Sequence, residues 1–223
     1  MCGRYTLITD IGRIAESFGV APSLQAQPRY NIAPTQDIVA ILNNGGAQNN
    51  ESVQMQLLRW GLIPAWAKDE AIGSRMINAR AETLAEKPSF RNLLRGRRCL
   101  VIADGFYEWR TEGKNKTPMY ITLQDGQPFA FAGLWDLWKS PDGRQVQSCT
   151  IVTTEPNELM ATIHNRMPAI LRPKAYEDWL NPQLRDDQVL THLLKPYPTE
   201  LMKARAVSKL VNNPRNDVAE ILA

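Results

Sequence analysis

The chain has 223 residues, 43 % of them hydrophobic, which allows a sizeable core and excludes global disorder. A net charge of +3 and a pI near 8.8 are too mild to establish nucleic-acid binding, but they leave room for a local basic groove. Three cysteines (Cys2, Cys99, Cys149) without C-x-x-C spacing and two histidines (His164, His192) argue against a disulfide framework and a zinc site, so no metal and no cofactor are expected. Neither a signal-peptide pattern nor an apolar run of about 18 residues occurs, and the expectation is a soluble cytoplasmic protein with no membrane partner.

The first stretch, Met1-Cys2-Gly3-Arg4, is unusual in its chemistry. Cys is small enough for Met1 to be clipped, which would leave Cys2 with a free α-amine beside its thiol. Such a 1,2-aminothiol attacks an aldehyde twice: the amine forms a Schiff base and the sulfur closes a five-membered thiazolidine. Both groups titrate within reach of neutrality, at about 7.7–8.0 and about 8.5. Gly3 permits close backbone approach, and Arg4 suits a phosphate. A cysteine in a frayed, unimportant terminus is the alternative.

Ile11, Ile14, Ala15 and Phe18 recur at helical spacing after Thr9-Asp10, and Gly19 supplies a stop. A Pro22/Pro28 loop leads to Arg29-Tyr30-Asn31-Ile32-Ala33-Pro34-Thr35. Val39–Leu42 reads as a strand, Asn43–Ser52 as a solvated hairpin loop, and Val53–Trp60 as the returning strand. A rigid aromatic link, Trp60–Trp66, follows. Pro88 begins a helix through Leu94 that Gly96 ends. Cys99–Ala103 is a buried strand, Asp104-Gly105 a turn, and Phe106–Arg110 a returning strand. Further strands are expected near 118–123, 129–135 and 146–153, then helices near 155–163, 174–180 and 185–194. A last strand near 203–207 precedes the Asn212-Asn213-Pro214 turn. Successive strands with short turns and few helices argue for mainly antiparallel pairing in one α+β domain spanning 1–223.

Candidate chemistry sits at four more places. Alternation puts Glu108 and Phe106 on one strand face, with Tyr107 and Trp109 on the other. A partly desolvated Glu108 suits an acid/base role; an exposed strand-edge carboxylate is the alternative. His164, at a helix end before Asn165-Arg166, suits a proton shuttle or a structural role. Asn78 and Arg80 flank Ala79 and share a side, offering an amide and a phosphate-fitting fork. Trp66, with Tyr30 and Pro34, could present flat faces to unstacked bases or pack in the core.

Six motifs occur in order: Met1-Cys2-Gly3-Arg4-Tyr5, Tyr30–Pro34, Trp60–Trp66, Asn78–Thr83, Cys99–Trp109 and Ile163–Pro168. Together they resemble the SOS response-associated peptidase (SRAP) family. The resemblance implies an α+β fold around a strongly curved, barrel-like, mainly antiparallel sheet flanked by short helices. It implies recognition of abasic sites in single-stranded DNA, covalent linkage through the N-terminal Cys2, and nucleoid association when bound. It makes Cys2 the nucleophile, Glu108 the acid/base, His164 an assistant in Schiff-base chemistry and reversal, and Asn78 a partner of the sugar. Arg4 and Arg80 would hold phosphates, with Trp66, Pro34 and Thr153 along the DNA path and Lys87 (or Arg91) as a further basic contact. The expected state is a monomer. Two rivals are carried: a cysteine peptidase using Cys2 and His164, at least for processing its own N-terminus, and a non-covalent nucleic-acid-binding module.

Overall fold

The computed structural model describes residues 2–43 and 53–223, so the expected hairpin loop lies outside the described residues except for Asn43. The strands are β1 (Arg4–Leu7), β2 (Arg29–Ile32), β3 (Asp37–Asn43), β4 (Val53–Trp60), β5 (Asn78–Arg80), β6 (Arg98–Ala103), β7 (Gly105–Glu112), β8 (Asn115–Leu123), β9 (Phe129–Lys139), β10 (Gln145–Thr154), β11 (Met167–Pro168), β12 (Ile170–Leu171) and β13 (Met202–Ala206). The helices are α1 (Ile11–Phe18), α2 (Arg91–Gly96), α3 (Glu158–Ala161), α4 (Tyr176–Leu180) and α5 (Asp187–His192), joined by short 3-10 turns.

Five strands close on themselves in the order β10-β4-β3-β6-β9-β10, giving a barrel, with β5, β11 and β12 added at its rim. The apolar run Cys99–Ala103 is its centre: β6 is buried along its whole length between β3 and β9. A ring of five cannot alternate up and down throughout, so at least one neighbouring pair must be parallel. Here it is β10 with β4, Ser148 opposite Arg59. β5 also joins β10 in parallel. The remaining pairings are antiparallel, as the strand pattern predicts.

A second sheet, β13-β8-β7-β1-β2, is antiparallel throughout. Asp104-Gly105 is not the hairpin turn expected from its sequence, because β6 and β7 belong to different sheets. The Asp104 carboxylate instead accepts from the backbone of Ile8 and Thr9 and from the Thr9 hydroxyl, which turns the chain across the gap. Gly105 is required there: a Cβ would sit 2.5 Å from the Tyr120 ring. Phe131 of β9 takes Tyr5 of β1 and Phe106 of β7 edge-on, at 5.9 Å each, and so joins the two sheets.

Helices are shorter than their patterns suggest. α2 starts at Arg91, with Pro88 in the preceding turn, and the stretch expected at 155–163 holds only the single-turn α3. Asn157 caps that turn through Met160 N–H at 2.8 Å. α1 keeps its expected span, with Asp10 as N-cap and Gly19 left-handed at its end. β1, β2, β11 and β12 were not expected; two to four residues carry too little periodicity to show.

Candidate active site

The site forms where the two sheets meet. In the register of β1 on β7, Arg4 faces Tyr107 and Tyr5 faces Phe106, so the residues before Arg4 run on beside Glu108. Cys2 is fully buried and Glu108 is 3 % exposed. Burial pushes the Cys2 thiol well above its ordinary value. The Glu108 carboxylate pushes it further, because a neighbouring negative charge disfavours a thiolate.

β5 reaches the same point from the barrel. Its pairing with β10 puts Asn78 opposite Ile151 and Arg80 opposite Thr153. The Asn78 Nδ2 donates to the Cys2 carbonyl at 2.8 Å, across 76 residues of chain. The Asn78 Oδ1 is buried and has no hydrogen-bond partner among the described residues, so an acceptor faces the site unused.

His164 leaves the turn after α3, its N–H bonded to the Met160 carbonyl at 2.7 Å. A helix of four residues has little dipole to offer, so the expected helix-end stabilisation is replaced by a local contact. The Arg166 N–H donates to His164 Nδ1 at 3.1 Å, which keeps the proton of the neutral ring on Nε2. The Arg166 carbonyl lies 3.3 Å from the same nitrogen and would accept from it in the charged ring. His164 and Glu108 line one open groove of about 470 Å³ with Trp109, Thr111, Lys116 and Asn212.

The residues expected along a DNA path are placed unevenly. Arg80 and Lys87 are exposed, and Trp66 is 63 % exposed after the tight Trp60–Pro64 link. Pro34 is half-buried, beside Thr35 at φ 73°, a left-handed conformation that strains a β-branched residue. Thr153 is fully buried, its hydroxyl 3.4 Å from the Ala79 carbonyl. Lys87 does not line the groove. Arg4 turns its guanidinium to protein: Nη1 donates to Asn31 Oδ1 at 2.9 Å and to the Val211 carbonyl at 2.6 Å. His192 is exposed at the end of α5.

Arg166 was missed by sequence reasoning. It forms a two-pronged ion pair with Glu82 at 2.6 and 2.9 Å and donates to the Thr153 carbonyl at 2.7 Å. That bond is the main reason the Glu82 carboxyl is held below its usual range. Trp109, Thr111, Lys116 and Asn212 were likewise not assigned to the site. Trp109 adjoins Glu108 in sequence, but nothing local signals that Asn212 returns to it.

A buried thiol thus lies beside a buried carboxylate, its residue held by an amide, and the carboxylate lines a groove with an oriented imidazole. That set suits attack on an electrophilic carbon with proton transfer on either side. Comparison with known proteins agrees in extent. A family profile described as SOS response associated peptidase (SRAP) matches residues 1–214. Over 226 residues the chain is 50 % identical to the abasic site processing protein YoqW of Bacillus subtilis, covering 100 % of this chain and 99 % of that protein. It is 34 % identical to the abasic site processing protein HMCES of Xenopus tropicalis, covering 88 % of this chain and 66 % of that protein. A crystal structure of a Bacteroides thetaiotaomicron protein superposes with a TM-score of 0.88 at 31 % identity, covering 99 % of this chain and 98 % of that one. With a family profile over nearly its whole length and half its residues shared with a full-length relative, this chain belongs to the SOS response-associated peptidase family.

Proposed function

We propose that this protein captures abasic sites in single-stranded DNA by forming a thiazolidine at Cys2 once Met1 has been removed. The observation that carries the reading is buried Cys2 beside Glu108, with its carbonyl held by Asn78, while Glu108 lines a groove together with His164. The names of the relatives at 50 % and 34 % identity supply the substrate class.

The freed α-amine adds to the C1′ aldehyde of the ring-opened sugar, and loss of water leaves a protonated Schiff base. The Cys2 sulfur then adds to the C=N carbon, the C=N electron pair moves to the nitrogen, which keeps the proton it already carries, and the thiol proton goes to Glu108 and on to solvent, replacing the one taken up by the Schiff base. One water leaves overall, and no redox step is involved. C1′ becomes tetrahedral again, so the β-elimination that a Schiff base would promote is shut off and the strand stays intact. Asn78 holds the Cys2 backbone while both of its nucleophiles react. Glu108 helps open the sugar, and His164 assists the Schiff-base step and the reversal of the link. Exposed Arg80 and Trp66 supply a phosphate contact and a stacking face.

A thiol pushed upward by burial and by Glu108 is the opposite of the lowered thiol of a cysteine peptidase, which weighs against cleavage of other proteins. The test is a denaturing gel of the Met1-free protein with a single-stranded oligonucleotide bearing one abasic site. The expected result is a shifted band that survives heat, absent with undamaged DNA and absent for Cys2→Ser. A band of equal strength from Cys2→Ser, or from protein whose intact mass retains Met1, would refute the reading.

A further inference from the structure

The buried phenols of the second sheet are paired, with one exception. Tyr107 donates to the Tyr30 carbonyl at 2.8 Å, and Tyr120 shares a 2.8 Å hydrogen bond with the Thr6 hydroxyl. Tyr5 is fully buried in β1, just after Cys2, and its hydroxyl has no hydrogen-bond partner among the described residues. An unpaired buried hydroxyl is a standing cost to stability and asks for a role. Resting on the reading of Cys2 as the trap, we infer that Tyr5 is a further catalytic residue, whose O–H donates to the Cys2 sulfur while that sulfur carries negative charge.

Strand register puts the phenol on the face that the reaction uses. Tyr5 lies opposite Phe106, and Phe106 and Glu108 alternate onto one face of β7. Tyr5 and Glu108 are therefore diagonal neighbours on that face, about 7–8 Å apart along the backbones, a gap that long side chains span. Gly3, next in register towards Glu108, puts no side chain between them. The Tyr5 ring is fixed from the barrel, edge-on to Trp60 at 5.4 Å and to Phe131 at 5.9 Å. Trp60 Nε1 donates to the Ile77 carbonyl at 2.9 Å, and the next residue, Asn78, holds the Cys2 carbonyl. Phenol, carboxylate and amide are thus brought towards Cys2 by β1, β7 and β5.

The sulfur needs donors at one step. As it adds to the Schiff-base carbon, its proton goes to Glu108, a sulfur electron pair forms the C–S bond and the C=N pair moves to nitrogen; Tyr5 keeps its own proton throughout. Cys2 is fully buried, so protein donors must meet the negative charge that builds on sulfur. The Arg4 backbone N–H is one of them. Asn78 gives its Nδ2 to the Cys2 carbonyl, and its unpaired atom is an acceptor. The Tyr5 O–H is unspent, and burial keeps it protonated. The groups acting on it are Cys149 and Cys2, which raise it, and Arg29, which opposes them, with Glu108 on the facing strand.

The test compares Tyr5→Phe with Tyr120→Phe in Met1-free protein. Tyr5→Phe keeps the ring against Trp60 and Phe131 and removes an unpaired hydroxyl, so its urea midpoint is expected to equal or exceed that of the wild type. Its single-turnover cross-linking of a single strand with one abasic site is expected to slow about 10- to 100-fold, the range for one hydrogen bond to a charged group. Labelling of Cys2 by iodoacetamide at about pH 9, read by mass spectrometry of the N-terminal peptide, is expected to slow at least about threefold. About tenfold less thiolate is partly offset there by a more nucleophilic sulfur. Tyr120→Phe breaks a paired hydroxyl, so its urea midpoint should fall while both rates hold. Wild-type cross-linking or labelling by Tyr5→Phe, a lower urea midpoint for it, or equal slowing in Tyr120→Phe would overturn the role of Tyr5 and leave the thiazolidine reading intact. Absence of any cross-link by the wild type would overturn that reading, and the labelling rate would then decide alone whether the phenol serves the sulfur.

Discussion

The proposed reaction requires Cys2 to stay unreactive until a lesion arrives and then to react through both its nitrogen and its sulfur. Full burial and the negative charge of Glu108 keep its thiol protonated, so it resists oxidants and stray electrophiles. In the proposed reaction the same carboxylate accepts the proton when sulfur attacks. These two roles separate in Glu108→Gln. The charge that raises the thiol is gone, so the midpoint of alkylation by iodoacetamide should move to lower pH. Single-turnover cross-linking should nevertheless slow by about 10²–10⁴-fold, the range for loss of an acid/base group. An unchanged or higher alkylation midpoint would sink this account of Glu108. Asn78 and Arg80 were expected to share one side of an extended segment, and β5 is that segment; the contact of Asn78 with the Cys2 carbonyl had no local signature.

The link from Trp60 to Trp66 and the tail after β13 show how elements position the site. Gly61 has φ +127°, and its backbone meets that of Gly73 so closely that a Cβ would lie 2.6 Å from the Gly73 carbonyl oxygen. This contact closes the loop that carries Trp66. Gly61→Ala should therefore cost about 2–4 kcal/mol in urea denaturation and weaken single-strand binding with it, since neither backbone can retreat. The tail is clasped by buried Asn31, whose Nδ2 lies within 3.3 Å of the carbonyls of Val211, Asn213 and Asn216 and whose Oδ1 accepts from Arg4. Asn31→Ala removes one donor from each of those carbonyls and one acceptor from Arg4, whose Nη1 keeps only the Val211 carbonyl. A loss of about 2–4 kcal/mol is expected, together with protease sensitivity in 208–217; full wild-type stability would show the clasp to be idle.

At the scale of the molecule, one apolar cluster runs from Cys2 through the barrel to Met202, a smaller one gathers around Tyr107 and Tyr120, and between them they enclose many titratable groups. Burial raises the thiols of Cys2 and Cys99 and the phenols of Tyr5, Tyr107 and Tyr176, and pushes Tyr120 to about 12. Their unperturbed values are 9.0 for cysteine and 10.0 for tyrosine. Above about pH 9 the unfolded chain releases protons that the folded chain keeps, so the unfolded state binds fewer protons and stability must fall as pH rises. The contribution is fully present below the unfolded values and is lost through the alkaline range. The urea midpoint is therefore expected to decline steadily from pH 8.5 to 11, more than that of Cys2→Ala over the same range. A flat midpoint would contradict the burial of these groups. Arg98 shows the same cost in reverse. Its buried guanidinium is lowered to about 10 and rests on the carbonyls of Leu94, Trp179 and Asn181, tying α4 to β6.

The strands legible in sequence were those with strong local signals. Cys99–Ala103 is an unbroken apolar run, and Val53–Trp60 is bounded by turn residues and a glycine. Glu108 within an aromatic strand was legible because its placement depends on residue type and near neighbours. What sequence could not carry was decided by contacts over long separations. The parallel step that closes a five-strand ring, the jump from β6 to β7 between sheets, the grip of Asn31 on the tail, and the arrival of Asn78 and Asn212 beside Cys2 and Trp109 are all of this kind. Such contacts form because sheet register and backbone hydrogen bonding must be satisfied everywhere at once, a condition on the whole chain that leaves no periodic trace in any one segment.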